Sequence, residues 1–193
     1  MVKYNQVLGI ASSNVPAYSN GNDQFFSGEK HLVHGIFTGY KWQCVEYARR
    51  WLLLRKTCIF RNIGTAADIW HDLENVVRVT DGQKFSLIRH PNGSPTKPKK
   101  DTILIYSRCH ELPYGHVSII TDVGPDYVRV AEQNYLFHRW AGNYARQISI
   151  LAAHGQYHLR DRYKISGWLE IEGNEILRPF DQEALDIVRA QKR

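Results

Sequence analysis

A thiol, an imidazole and a carboxylate in this chain fall where they could act together: Cys44, His116 and Glu132. Cys44 sits at or just inside the start of a predicted helix, where unsatisfied N–H groups and the helix dipole favour a thiolate. His116 opens a predicted strand directly behind Gly115, which leaves the backbone room at a sheet edge. Glu132 and Asn134 lie near the end of the next predicted strand, and the two-residue period of a strand places them on one face. Between those strands Gly124, Pro125 and Asp126 signal a tight turn, which makes the pair an antiparallel hairpin. His116 and Glu132 then reach the same end of neighbouring strands, near hydrogen-bonding distance. A nucleophile at a helix start, a base on the sheet and a carboxylate fixing the imidazole form the generalised triad of acyl transfer. Its chemistry is acyl transfer through a thioester: Cys44 attacks a carbonyl, and His116 protonates the leaving group and then activates water.

The other thiols and imidazoles read as structural. Cys44, Cys58 and Cys109 are an odd number without C-x-x-C spacing, which argues against a disulfide framework or a cysteine zinc site and fits a reducing, cytoplasmic setting. Cys58, flanked by Thr57, Ile59 and Phe60, reads as a small buried hydrophobe. Cys109, in the loop before His116, is the competing nucleophile, but no helix start stands beside it. His31 with His34, and His154 with His158, have spacings that could ligate a metal on a helix. No carboxylate ligand or H-E-x-x-H frame accompanies them, so surface histidines and no metal are expected.

The elements that must position these groups follow from periodicity. From Trp42 to Lys56, Val45, Ala48 and Leu52 recur at helical spacing while Glu46, Arg49, Arg50 and Arg55 make a polar side, so a helix is expected to begin near Gln43. A second, short helix is expected from Thr65 to Leu73, with Thr65 as its cap. Strands are expected at Val76 to Val79, Ser86 to Arg89, Thr102 to Tyr106, His116 to Val123, Tyr127 to Gln133, Gln147 to Leu151 and Gly167 to Ile171. Pro91 to Pro98 reads as one long loop, and Asp181 to Arg193 as a capped amphipathic helix with Leu185 and Val188 on one side. The first forty residues read as loop, although Phe25, Phe26, Phe37 and Tyr40 imply that they pack on the body. One helical region ahead of a run of short strands argues for an α+β fold with a mostly antiparallel sheet.

Composition sets the outer bounds. At 193 residues, with 43% hydrophobic and 23% charged, the chain is expected to form a single domain from 1 to 193 and not a fibre or a disordered coil. No apolar run exceeds four residues, whereas a membrane span needs ~20 and a signal-peptide core at least ~7, so neither a membrane association nor an export signal is expected. The net charge of +6 hints at anionic partners. A non-catalytic binding module is the alternative outside enzymology. The aromatics show no RNP-like strand motif and the lysines no basic stripe, so nucleic acid is not an expected partner.

The residues also resemble a known family. KWQCVEYARR from Lys41 to Arg50, GHVSIIT from Gly115 and VAEQN from Val130 look like the CHAP amidohydrolase/peptidase fold. More closely they resemble the amidase domain of glutathionylspermidine and trypanothione synthetase-amidases, a similarity extending to NVPAYSN from Asn14, HPNGSP from His90 and SGWLEI from Ser166. The resemblance implies a papain-like cysteine amidase without a cofactor. Cys44 matches the nucleophile, His116 the general base and Glu132 the residue orienting it, while Asn134 and Arg49 match positions lining the family's site. The implied oxyanion donors are the Cys44 N–H and a nearby polar side chain, with Gln43 and Asn134 both candidates. Arg49 also has a plain reading as a solvent-facing helix arginine, because five residues along a helix turn it away from Cys44.

The implied substrate is a small peptide amide, either a glutathionyl-polyamine conjugate or, as the alternative, the D-alanyl-glycyl bond of a peptidoglycan peptide. A polyamine leaving group calls for carboxylates, yet the loop before Cys44 offers only Asp23 and Glu29, alongside Lys30, His31 and His34. The ATP-dependent synthetase half of the bifunctional relatives is not expected in a chain of this length.

Overall fold

A computed structural model describes residues 1–191, built as an antiparallel sheet with helices against it. Two short hairpins come first: β1 (Val7–Ile10) with β2 (Pro16–Tyr18), and β3 (Lys30–Val33) with β4 (Ile36–Tyr40). The helix α1 (Cys44–Lys56) follows, then β5 (Cys58–Ile59), α2 (Asp68–Asp72), β6 (Asn75–Arg78), β7 (Lys84–Pro91) and β8 (Ile103–Tyr106). The hairpin of β9 (His116–Val123) and β10 (Tyr127–Ala131) leads to β11 (Arg146–Ala153), β12 (Gln156–Arg160), β13 (Ile165–Ile171) and α3 (Gln182–Ala190). Nine strands form the main sheet in the order β12-β11-β10-β9-β8-β13-β7-β6-β5. The expected α+β class holds, with α1 packed on the large antiparallel sheet.

Side-chain alternation explains how the sheet is covered. Ile103, Ile105, Val117, Ile119, Ala131, Leu169 and Ile171 pack with Tyr47, Ala48, Trp51 and Leu52 of α1 in one buried cluster. Intervening residues such as Leu104, Tyr106, Val128, Val130, Ile148, Leu159 and Trp168 form a second. Strands buried this way lack a clean polar alternation, as in ILIY of β8, where all four residues are buried.

The first forty residues differ from the expected loop, because two hairpins stand there. Their strands have only three to five residues, too short for a period to register. These hairpins also change the character of α1. Three of its four expected polar residues are buried, Glu46 at 0%, Arg49 at 5% and Arg50 at 2% exposure, while Arg55 is half-buried. β4 comes so close that a Cβ on Gly39, whose φ is +147°, would lie 2.9 Å from the Glu46 Cα. Glycine is needed there for both the conformation and the approach.

Other boundaries moved in ways the contacts explain. α2 is shorter than expected and Thr65 does not cap it; the Thr65 hydroxyl donates to Asp68 Oδ2 at 2.7 Å. In the loop after β7, the Asn92 side chain stands in for a strand partner, donating to the Leu159 carbonyl at 3.0 Å and accepting its N–H at 2.7 Å. This tie belongs to β12, a strand absent from the expectation. In α3, Asp181 caps through Ala184 N–H as expected, but the buried residues are Ala184 and Val188 while Leu185 is only half-buried. The last two residues of that expected helix, Lys192 and Arg193, lie outside the described residues. No described helix is long and apolar enough to cross a membrane.

Candidate active site

Cys44 is the first residue of α1 and half-buried. Gln43 is the N-cap, with extended backbone, but its side chain does not cap the helix. Its Oε1 accepts from Asn134 Nδ2 at 3.0 Å, and its Nε2 makes only long contacts, 3.4 Å to Asn20 Oδ1 and 3.5 Å to the Phe25 carbonyl.

Across from the helix start, His116 begins β9 and is 1% exposed. Gly115 before it has φ +65°, and a Cβ there would come within 2.6 Å of the Tyr106 carbonyl and 2.7 Å of the Ala67 Cβ. Glycine therefore lets the chain enter β9 beneath α2. His116 Nε2 lies 2.9 Å from Glu132 Oε2, and the Cys44 thiol stands near enough to the ring to act on its charge. With Nε2 turned to the carboxylate, Nδ1 is the nitrogen left for sulfur.

The charges follow from this geometry. Burial alone would lower the His116 pKa, but Cys44 and Glu132 outweigh it and raise it to about 9. Burial would raise that of Glu132, but Arg146 and His116 hold it at about 2. At neutral pH the pair is therefore an imidazolium against a carboxylate.

Glu132 does not sit in the strand. β10 ends at Ala131, and Asn134 has φ +58°, so a turn and not strand alternation brings Glu132 and Asn134 to the same region. Gln133 between them is 1% exposed and uses its whole amide. Its Nε2 donates to the Gln43 carbonyl at 3.0 Å and to Glu46 Oε2 at 2.9 Å; its Oε1 accepts from Tyr18 N–H at 3.0 Å and Arg50 Nη2 at 3.2 Å. Under the helix start, Glu46 also accepts from Arg50 Nε and pairs with His31 Nδ1, each at 2.8 Å. His31 is thus an internal partner and not the expected surface histidine.

The structure brings Cys44, Gln43, His116, Glu132 and Asn134 together and leaves Arg49 out. Arg49 is buried between Phe37 and Phe60, donates to the Phe37 carbonyl at 2.8 Å and is neither solvent-facing nor at the thiol. Its near-complete burial comes from β4 and the segment after β5, which sequence spacing could not reveal. Cys58 is buried and its thiol pushed up to about 12 by desolvation. Cys109 lies half-buried in its loop, near Glu111. His34 stacks on Phe180, His154 is in a turn and His158 in β12, so neither histidine pair shares a helix. Among the described residues no group of three His, Cys, Asp or Glu is placed to hold a metal.

A cleft of about 290 Å³ opens beside the site, lined among others by Asp23, Glu111, Asn134, Tyr135, Arg146 and Tyr163. Arg146 was not among the expected site residues, because the predicted strand began one residue later, at Gln147. In β11 it pairs in register with Val130, which aims it at the carboxylate two residues further on.

A family model described as CHAP domain matches residues 35–134, about half of the chain and the part holding Cys44, His116 and Glu132. Trypanothione synthetase of Crithidia fasciculata is 38% identical over 180 residues, covering 90% of this chain and 28% of that protein. Glutathionylspermidine synthase of the same organism is 31% identical over 192 residues, 89% of this chain and 27% of that one. The bifunctional glutathionylspermidine synthetase/amidase of Escherichia coli (strain K12) is 30% identical over 200 residues, 96% of this chain and 32% of that one. The chain spans about a third or less of the length of each relative. By the match to its central half and by relatives aligned over nearly its whole length, the chain belongs to the CHAP domain family.

Proposed function

We propose that this protein is a cysteine amide hydrolase that cleaves a glutathionyl-polyamine conjugate, or a similar peptide amide, through a thioester. The observation carrying this reading is the buried His116 to Glu132 hydrogen bond at 2.9 Å, with a cysteine at a helix start near the same imidazole. Cys44 Sγ attacks the carbonyl carbon while His116 Nδ1 holds the thiol proton. The C–N bond breaks as His116 gives that proton to the leaving nitrogen, leaving a thioester. His116 then takes a proton from water, which attacks the thioester and frees the acid and the thiol. The Cys44 N–H at the helix start is one oxyanion donor. Gln43 Nε2, held only by long contacts, is better placed to be the second than Asn134 Nδ2, which is engaged in orienting the Gln43 amide.

The names of the relatives support the glutathionyl-polyamine class, and Asp23 and Glu111 along the cleft supply carboxylates for a cationic amine. Incubation with glutathionylspermidine, trypanothione and a D-alanyl-glycine cross-bridge peptide, followed by mass spectrometry, tests the reading. Hydrolysis of the glutathionyl conjugates, lost in Cys44→Ala, is expected. Cleavage of the cross-bridge peptide alone would move the substrate to the peptidoglycan class, and turnover surviving in Cys44→Ala would overturn the mechanism.

A further inference from the structure

We propose that Arg146 is a positioning residue of this site, fixing Glu132 so that one carboxylate oxygen faces His116 Nε2. The inference rests on the hydrolase reading and adds to it a fourth member.

Glu132 follows the last residue of β10, so its carboxylate has no strand pairing of its own to hold it. Arg146 grips it with two donors: Nε to Oε1 at 2.5 Å and Nη2 to Oε2 at 3.1 Å. Such a fork fixes both the position and the plane of the carboxylate, which a single ammonium cannot do. Oε2 is the oxygen that also meets His116. The guanidinium is itself held from behind, since Nη1 donates to Asp161 Oδ2 at 2.5 Å and Nη2 to Tyr106 Oη at 3.0 Å. Tyr106 in turn donates to Asp161 at 2.6 Å. Tyr135 fills the space on the cleft side, its ring 4.1 Å from the guanidinium carbon and 4.7 Å from the imidazole centroid. The charged and titratable groups around the carboxylate are thus His116 from β9, Arg146 from β11, Tyr47 from α1, Tyr135 on the cleft side and, behind the arginine, Tyr106 and Asp161. The guanidinium is the one permanent cation among them.

Two consequences follow. Without the fork, the carboxylate gains rotamers that do not meet His116, so turnover falls with little change in substrate binding. Without the cation, Glu132 becomes easier to protonate, and a protonated Glu132 can no longer support the imidazolium.

The experiment compares Arg146→Gln and Arg146→Lys in wild-type and Glu132→Gln backgrounds. The readouts are kcat and KM on the conjugate and, independently of any substrate, the pH profile of Cys44 alkylation and the His116 ring titration by NMR. Both single variants are expected to lose about tenfold or more in kcat with KM changed less than about threefold, Lys not restoring the fork. Arg146→Gln should add an acid limb to the alkylation profile above pH 4, and neither that limb nor the loss in kcat should appear on top of Glu132→Gln. Tyr106→Phe, which removes one support and no core volume, should move the same readouts in the same direction by a few-fold and covers the case in which Arg146→Gln does not fold. Unchanged alkylation and NMR profiles in Arg146→Gln, or losses that add in full to those of Glu132→Gln, would overturn the inference. A wild-type protein that hydrolyses no amide but shows the expected profile shifts would instead sink the hydrolase reading while leaving the positioning role standing.

Discussion

An imidazole locked between a thiol and a carboxylate has a charge state set by its neighbours, and its pH dependence reports on both. His116 is raised to about 9, so activity that needs the imidazolium should fall as pH climbs through that value. Glu132→Gln removes one of the two groups that raise it and leaves the Arg146 cation nearby, so the alkaline limb should move down toward ~6.5. The rate should fall by about 10²-fold or more, as expected when the orienting group of a triad loses its charge. Profiles of kcat/KM between pH 6 and 10 check both statements; an alkaline limb that stays near 9 in the variant would separate Glu132 from His116 function. At this scale the chain was most readable: a cysteine at a helix start, a histidine opening a strand and a glutamate just past the end of its hairpin partner carry local signals. Arg146 carried none, because its role depends on the register of β11 with β10.

The helix bearing Cys44 owes its place to buried polar contacts as much as to its apolar side. Glu46 is fully buried, yet it is held at about 2: burial would raise it, and Arg50 and His31 outweigh that. Gln133 ties this cluster to the Gln43 carbonyl at the helix start, so the segment carrying Glu132 and the turn carrying Cys44 are joined directly. Gln133→Glu keeps the shape but turns the two donors into an anion facing a carbonyl and a carboxylate. It should cost about 3 kcal/mol or more, against less for Gln133→Met, which leaves no unpaired charge. Urea unfolding of the two variants measures the difference, and a Glu variant as stable as Met would show that the amide is not held as described. Helical spacing located α1 correctly and marked Glu46, Arg49 and Arg50 as a polar side, but not that this side is buried. Spacing reports which residues share a face; it does not report that two N-terminal hairpins cover that face.

For the molecule as a whole, these buried ionised groups define a pH window of stability. Glu46 and Glu132 bind protons less tightly when folded, at about 2 against an ordinary value near 4.5. Each therefore contributes stability that is complete above ~4.5 and disappears as pH falls toward 2, roughly 3 kcal/mol apiece. His116 has the opposite sign. Raised from 6.5 to about 9, it contributes stability that is complete below 6.5 and is lost as pH rises through 9. Above that, Cys58 continues the decline, since a thiol pushed from 9 to about 12 keeps its proton in the fold and releases it on unfolding. The unfolding free energy should thus be highest between about pH 5 and 6.5, well below the sequence isoelectric point of 9.2. A domain whose total stability is about 5–15 kcal/mol would lose much of it by pH 3. Urea titrations at pH 3, 6 and 9 test the shape of this curve. His116→Gln isolates its alkaline side: in that variant the loss between pH 6.5 and 9 should vanish, while the loss between pH 4.5 and 2 remains. An alkaline decline that persists without the imidazole would place its origin elsewhere in the fold, and stability unchanged from pH 6 down to 3 would mean that Glu46 and Glu132 are not held as anions by their arginines.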